Sequence, residues 1–487
     1  MKVTLLGTGA ADGIPQPFCD CRTCRHARLT GEIRAPGGLL VDDTLLVDAP
    51  PGLGAAAARA GVELTRVDTV IVTHSHPDHW DPSFLLYRQW QSAASKRPLL
   101  VAGPEDVIES AGEWLAPGSS VQLRPVGAGE ALRSTSGHLV RVLASSHGDG
   151  RDRCADLAVL FDVTGPDGCR LLYASDTGEL PAEVVASVRG ARFDIVLLEL
   201  TFGATGPSTP GHLDHRGFAA ALAALREVDA ITSNSTVVAV HIGHHNPPTP
   251  ELVTFLRSVG ARYFPDGRTL EISQGSPPES GRRRTLVLGG ARSGKSRHAE
   301  LLAADTAAAG VPADVTYIAT GWPRGSNVGD DWDDRILAHQ ARRPAGWRTV
   351  ETIDIADVLN QLTSGQTALV DCLALWVTRL VDAADAWNDR DQATTLVIAA
   401  TSALCAALAD SQADEIIVVS NEVGSGVAPA SQAGGLFRDL LGMVNATVAA
   451  CCDDVILMVA GRPWVLPATG PGDPTNTSAP SPQEASR

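Results

Sequence analysis

Apolar positions along this chain fall into two unlike regimes. Through residue 274 short β-prone runs dominate, namely Lys2–Leu6, Gly38–Asp48, Val67–Thr73, Leu139–Ser145, Asp156–Val163, Cys169–Ser175 and Thr236–His241. Helical periodicity is rarer there and clearest over Gly52–Ala60 and Arg216–Arg226. Such a pattern predicts two β-rich layers with helices outside them. From 285 to 466 the pattern changes: Thr285–Leu288, Val315–Thr320, Thr367–Asp371 and Glu415–Ser420 read as strands separated by helical stretches. That alternation predicts a mainly parallel sheet covered by helices. Residues 275–284 are rich in Pro, Gly, Ser and Arg without periodicity and read as an interdomain linker. Residues 467–487 are Pro/Ser/Thr/Gly with almost no apolar side chains and read as a disordered tail. The expectation is an α/β protein of two domains, 1–274 and 285–466.

Composition narrows the class. A chain of 487 residues with 44% apolar content exceeds one ordinary core. The net charge of −17 is spread over both halves, and lysine occurs only at Lys2, Lys96 and Lys295. Gripping a polyanion needs clustered Lys and Arg, so no nucleic-acid partner is expected. The chain starts Met-Lys-Val-Thr-Leu-Leu-Gly and runs straight into a strand, so no signal peptide is expected. No apolar run approaches the roughly 20 residues of a membrane span. Nine cysteines in that setting suggest reduced thiols and metal ligands in a cytoplasmic protein.

One stretch carries phosphate chemistry on its face. Gly289-Gly290-Ala291-Arg292-Ser293-Gly294-Lys295-Ser296 follows the apolar run Thr285–Leu288 and leads into helix-like Arg297-His298-Ala299-Glu300. Strand, glycine loop and helix is the setting a P-loop requires. Backbone N–H groups turn inward, and the helix N-terminus adds partial positive charge. Lys295 would reach the β- and γ-phosphates and Ser296 would hold Mg²⁺. Asp371 ends an apolar strand, as the carboxylate that holds Mg²⁺ or its water does. On a helix, Arg335, His339 and Arg342 or Arg343 share one face and would bring a nucleophile and cations to a triphosphate.

The first half holds a metal constellation. His74, His76, Asp78 and His79 crowd a strand end, poor material for a core but direct ligands for Zn²⁺ or a similar ion. This run resembles the HxHxDH motif of the metallo-β-lactamase superfamily, whose fold is a four-layer αββα sandwich. The resemblance assigns His74 and His76 to a first metal and Asp78 and His79 to a second. It adds His147, the bridging carboxylate Asp176 and His241 downstream. Cys19, Cys21 and Cys24 lie within six residues and lack a fourth ligand for a structural zinc. This segment is similar to the phosphonate-pathway cyclic-phosphate phosphodiesterases, which implies His244 as that ligand, with His245 as competitor. The chemistry implied is phosphoester hydrolysis with two Zn²⁺ or Mn²⁺, with His212 as general acid at a helix start and His215 as fallback.

Residues 285–466 resemble adenosylcobinamide kinase/adenosylcobinamide-phosphate guanylyltransferase. Beyond the P-loop, the match runs through Tyr317–Thr320, Arg335–His339, Arg343–Glu351, Val370–Thr378, Ser420–Gly426 and Phe437–Gly442. The resemblance implies phosphorylation of adenosylcobinamide with ATP or GTP, then GMP transfer from GTP through a guanylylated His339. It also implies a corrinoid substrate, further nucleotide-contact candidates at Ala319-Thr320-Gly321 and Glu351, and a homo-oligomer, typically a trimer. Asn421-Glu422 is a candidate corrinoid or P-loop contact. The chain departs from the family at Asp330-Asp331-Trp332-Asp333-Asp334, where members often carry an acidic residue and a methionine. The fusion suggests that the hydrolase acts on a small phosphate ester of the same pathway, an α-ribazole phosphate or a nucleotide-loop intermediate. Competing readings are an RNA-processing nuclease or a non-catalytic oligomerisation module for the first half, and a nucleotide-binding regulator for the second.

Overall fold

The computed structural model describes residues 1–91, 97–148, 150–204, 210–275, 282–305, 314–326, 332–426 and 429–466. Most of the expected linker, and the whole expected tail from 467, lie outside the described residues, as do the side chains of Arg335, His339 and Arg342. The chain divides into two compact units, one ending before residue 281 and the other beginning there.

The first unit stacks two sheets. One runs in the order Thr269–Glu271, Lys2–Gly7, Gly38–Val41, Leu45–Val47, Thr69–Ile71, Leu99–Gly103, Val121–Pro125, and the other in the order Thr236–Val240, Ile195–Glu199, Arg170–Ala174, Val159–Thr164, Leu139–Ala144, Ala131–Arg133. Both faces of the central strands are apolar, and alternation decides which layer each side chain joins. Val3, Leu5, Leu39, Val47, Phe161, Leu171 and Leu197 fill the space between the sheets. Their neighbours Leu6, Leu40, Leu46 and Val70 pack outward with Leu53, Leu85 and Val107 from helices Leu53–Arg59, Phe84–Gln89 and Glu105–Glu113. On the far side, Leu172, Ala174, Val196 and Leu198 meet Val184, Phe218, Leu222 and Leu252 of three further helices. The result is the four-layer helix–sheet–sheet–helix sandwich.

The expected single strand Gly38–Asp48 is two strands joined by a reversal. Asp42 and Asp43 are both left-handed, with φ of 49° and 60°. Two successive left-handed residues make the tight hairpin turn that the twist of paired strands favours.

In the second unit one seven-stranded sheet runs Arg348–Glu351, Asp314–Ala319, Gln366–Asp371, Glu415–Asn421, Arg283–Gly289, Asp454–Val459, Arg462–Leu466. All neighbours are parallel except the last pair. Arg283 and Arg284, read with the linker, lie in the strand. Arg284 is buried and donates to the carbonyls of Leu408 at 2.7 Å, Ser411 at 2.9 Å and Ala413 at 3.0 Å. The expectation of no membrane-length apolar run needs amending too. Helix Arg390–Asp410 is long and apolar enough to cross a membrane by length and composition alone. Interruption by Thr and Ser hides this in a scan for unbroken apolar runs. Ala393, Val397, Thr401, Leu404 and Leu408 bury one stripe of it in the core, at the spacing of a helix that covers a sheet.

Candidate active sites

Six strands of the first unit run the same way and deliver their chemistry at one edge. Asp48, His74, His147, Asp176 and His241 each lie just beyond a strand end, and Glu199 is the last residue of Ile195–Glu199. Asp48, Asp176 and His241 have φ of 59°, 51° and 50°. A left-handed residue other than glycine costs roughly 1 kcal/mol, and such residues gather at functional sites.

Two clusters form around Asp176. His74 Nε2 and His76 Nδ1 are 2.9 Å apart, and His147 Nε2 is 3.2 Å from His76 Nδ1. Asp176 Oδ2 faces this group, 3.5 Å from His74 Nε2 and 3.8 Å from His147 Nε2. Its other oxygen, Oδ1, lies 3.2 Å from His79 Nε2 and 3.0 Å from His241 Nε2. Asp78 Oδ2 completes the second cluster, 3.2 Å from each of those two nitrogens. All seven expected ligands therefore converge, with Asp176 shared.

The outer nitrogen of every imidazole meets an acceptor, which fixes the tautomers. His79 Nδ1 donates to Asp48 at 2.8 Å, His147 Nδ1 to the Gly211 carbonyl at 3.0 Å, and His76 Nε2 to Asp152 at 2.8 Å. Thr73 and Thr201 spend their hydroxyl protons on Asp48 and Glu199. They therefore accept from His74 Nδ1 at 3.1 Å and His241 Nδ1 at 2.8 Å. With each N–H directed outward, five nitrogen lone pairs and two carboxylates face one another, and His79 Nε2 is buried without a hydrogen-bond partner. Only acceptors point inward, so they repel unless cations lie between them. The donor set fits two divalent ions sharing Asp176.

His212 sits beside this pair, its ring stacked on His241 at 5.5 Å and 8°. It lies in the turn before helix His215–Glu227, which Asp214 caps, rather than in the helix. Burial alone would lower the His212 pKa, but Glu199, 3.2 Å away through both oxygens, raises it to about 9. His215 is elsewhere, stacked on Phe255 at 3.8 Å and 3.3 Å from Asn246 Oδ1. Of the two candidate acids, only His212 faces the cluster.

The cysteines gather separately. Cys21 caps helix Arg22–Thr30 through its sulfur. Cys19 and Cys21 lie 3.2 and 3.7 Å from His244 Nδ1, while His244 Nε2 is 3.2 Å from Asp12. Burial opposes the Cys21 thiolate, yet the Cys24 N–H and His244 bring its pKa down to about 7, whereas burial pushes Cys24 up to about 12. Cys19, Cys21, Cys24 and His244 form one group that could hold an ion, and His245 is outside it. Thiolate donors with a helix N-terminus beside them suit a soft or borderline cation.

In the second unit the loop after Arg283–Gly289 needs its glycines. A Cβ on Gly289 would sit 2.4 Å from Ser293 Oγ and 2.9 Å from the Met458 carbonyl, and Gly294 has φ of 94°. Lys295 Nζ lies 3.2 Å from the Gly290 carbonyl. Ser296 Oγ donates to Asp371 Oδ1 at 3.3 Å, although the strand Glu415–Asn421 separates Gln366–Asp371 from the P-loop strand. Tyr317 Oη donates to the other oxygen of Asp371 at 2.7 Å. Helix Trp332–Arg342 carries Arg335, His339 and Arg342, and Arg343 follows it with its guanidinium over the Tyr317 ring at 3.2 Å. Thr320 is buried, its hydroxyl donating to the Cys372 carbonyl at 2.7 Å, so its side chain serves the fold. Ala319 and Glu351 pair across adjacent strand ends, and Gly321 accepts from Arg379 at 2.8 Å.

The sequence assigns no role to Asp48, Asp152, Glu199 or Tyr317, although Tyr317 falls within the family match. Glu199 left the plainest signal, a lone acid within Ile195-Val196-Leu197-Leu198-Glu199-Leu200, which demands a partner once buried.

The two units define a class: a metallo-β-lactamase-fold hydrolase domain and a P-loop transferase domain on one polypeptide. Residues 43–242 match the β-lactamase superfamily domain, and residues 285–466 match the family described as cobinamide kinase/cobinamide phosphate guanyltransferase. The bifunctional adenosylcobalamin biosynthesis protein CobP of Pseudomonas aeruginosa is 39% identical over 186 residues, which are 38% of this chain and 96% of that protein. Its counterpart CobU of Salmonella typhimurium is 37% identical over 182 residues, 36% of this chain and 95% of that one. Among solved structures, a diphosphatase from the PhnP family aligns at 20% identity with TM-score 0.45, covering 55% of this chain and 97% of its own. The chain belongs, through its second unit, to the cobinamide kinase/cobinamide phosphate guanyltransferase family, and it is an enzyme.

Proposed function

We propose that the second unit phosphorylates adenosylcobinamide with a nucleoside triphosphate and then transfers GMP from GTP to the product. The first unit, in this reading, is a dinuclear phosphoesterase acting on a small phosphate ester of the same pathway. The observation that carries the transferase is the Lys295–Ser296–Asp371 arrangement inside a match spanning 96% of a relative. Inward-turned N–H groups of Gly289–Ser296 and Lys295 hold the triphosphate, while Ser296 and Asp371 provide the oxygens that suit Mg²⁺. In the guanylyl step a neutral His339 imidazole attacks the α-phosphorus and pyrophosphate leaves, with Arg343 offsetting its charge. The corrinoid phosphate then displaces the imidazole, which regenerates His339 and completes GMP transfer. His339→Ala should abolish an acid-labile GMP adduct while GTP binding persists. Label retained by that variant would overturn the reading.

For the first unit the supporting observation is the inward set of acceptors around Asp176. Two divalent ions there would neutralise a phosphate and ionise water near neutral pH. Glu199 keeps His212 protonated, and His212 then gives its proton to the leaving oxygen. Activity should fall on the alkaline side as His212 loses that proton. Glu199→Gln removes the group that raises its pKa, so the alkaline limb should move to lower pH. A pH–rate profile on a generic phosphodiester reads this directly, and an unmoved limb would count against His212 as the acid.

A further inference from the structure

We propose that Tyr317 is a positioning residue that ties the Asp371 carboxylate to the Arg343 end of the helix carrying His339, so that one side chain aligns both halves of the nucleotide site. This rests on the transferase reading above. Strand register makes the arrangement. Ala319 pairs with Asp371 and Tyr317 with Leu369, so Tyr317 and Asp371 stand on one face of neighbouring strands, two residues apart along them. That offset is about 6.6 Å at strand rise, a gap that a tyrosine can span while ending in a hydroxyl.

Both carboxylate oxygens of Asp371 are then committed, Oδ1 to Ser296 and Oδ2 to Tyr317. A carboxylate held at both oxygens cannot turn away from the P-loop hydroxyl. Tyr317 is only 2% exposed, and burial followed by the Asp371 charge holds its phenol well above its usual pKa, so it remains a donor. The other surface of the residue is its ring. Arg343 lies over that ring, the geometry of a cation–π contact. Arg343 comes directly after helix Trp332–Arg342, so its contact with the ring fixes where the helix ends. The Arg343 Nε is buried and has no hydrogen-bond partner. A cation–π contact uses only the face of the guanidinium, so its in-plane terminal N–H donors remain for an anion, here a triphosphate oxygen.

The two contacts are separable by substitution in the full-length chain. Tyr317→Phe keeps the ring and deletes the hydroxyl. Tyr317→Met fills a similar volume without either, and its flexible side chain suits an irregular gap. With Phe, the Mg²⁺ concentration that half-saturates GTP binding should rise about tenfold, the scale of one lost hydrogen bond to a charged group. At saturating Mg²⁺ the Phe variant should still form the GMP adduct at the wild-type rate. Met should form it about tenfold more slowly even there, because Arg343 has lost its support. An unchanged Mg²⁺ dependence in the Phe variant overturns the Asp371 limb. Equal adduct rates for Phe and Met at saturating Mg²⁺ overturn the Arg343 limb. Should the wild type itself take up no GMP, the guanylyl-histidine reading falls with the Arg343 limb, while the Mg²⁺ dependence of GTP binding still decides the Asp371 limb.

Discussion

Asp176→Ala should empty both cation positions of the first unit together and reduce phosphoester hydrolysis by about 10³-fold or more. The reason is the division of labour between its oxygens. Oδ2 faces His74 and His147, and Oδ1 faces His79 and His241, so among the described residues Asp176 alone serves both groups. Asp78 reaches only the second group, and Asp78→Ala should therefore spare the first. Metal bound per chain, measured beside turnover of a generic phosphodiester, separates the two variants. Wild-type metal content in Asp176→Ala would remove the case for a shared carboxylate. The Cys19–Cys21–Cys24–His244 group stands apart and should keep its own ion in both.

The second large effect belongs to Lys295. Lys295→Ala should lower both corrinoid phosphorylation and GMP transfer by about 10²–10³-fold, the usual loss when one preorganised cation is removed from a phosphoryl site. It should leave hydrolysis by the first unit unchanged. No other lysine occurs after residue 96, so no second ammonium stands ready in that unit. Arginine should not restore activity, because a planar guanidinium cannot occupy the compact position of an ammonium beside Gly290. Parallel assays of the three reactions on the one variant check this, and equal loss in all three would point to misfolding instead.

What the sequence makes legible follows from how each residue acts. His74, His76, Asp78 and His79 announce themselves because four ligands within six positions have no apolar explanation. His147, Asp176 and His241 are each ordinary alone and become readable only in order, each after an apolar run. The P-loop is legible because backbone geometry forces its glycines. Asp48, Asp152, Glu199 and Tyr317 are different, since each works by holding another side chain. Their contacts depend on strand order and register, and spacing along the chain carries neither. The pairing of Tyr317 with Asp371 crosses between strands 54 positions apart. Likewise the Gly38–Asp48 run reads as one strand because Asp-Asp is a weaker turn signal than Asn-Gly. The cysteine group is intermediate: three thiols in a row are plain, but only the folded loop distinguishes His244 from its neighbour.

The left-handed backbone at Asp48, Asp176 and His241 has a consequence for how this unit responds to change. Glycine at Asp176 or His241 would relax the main chain and thin the crowd of inward acceptors, so substitutions that favour heat resistance there run against turnover. Asp48 differs, because it also holds Thr73, His79 and Tyr173 and its loss would leave buried donors unpaired. A screen that rewards thermal tolerance alone would tend to erase the chemistry first at these strand tips, while leaving the sandwich intact.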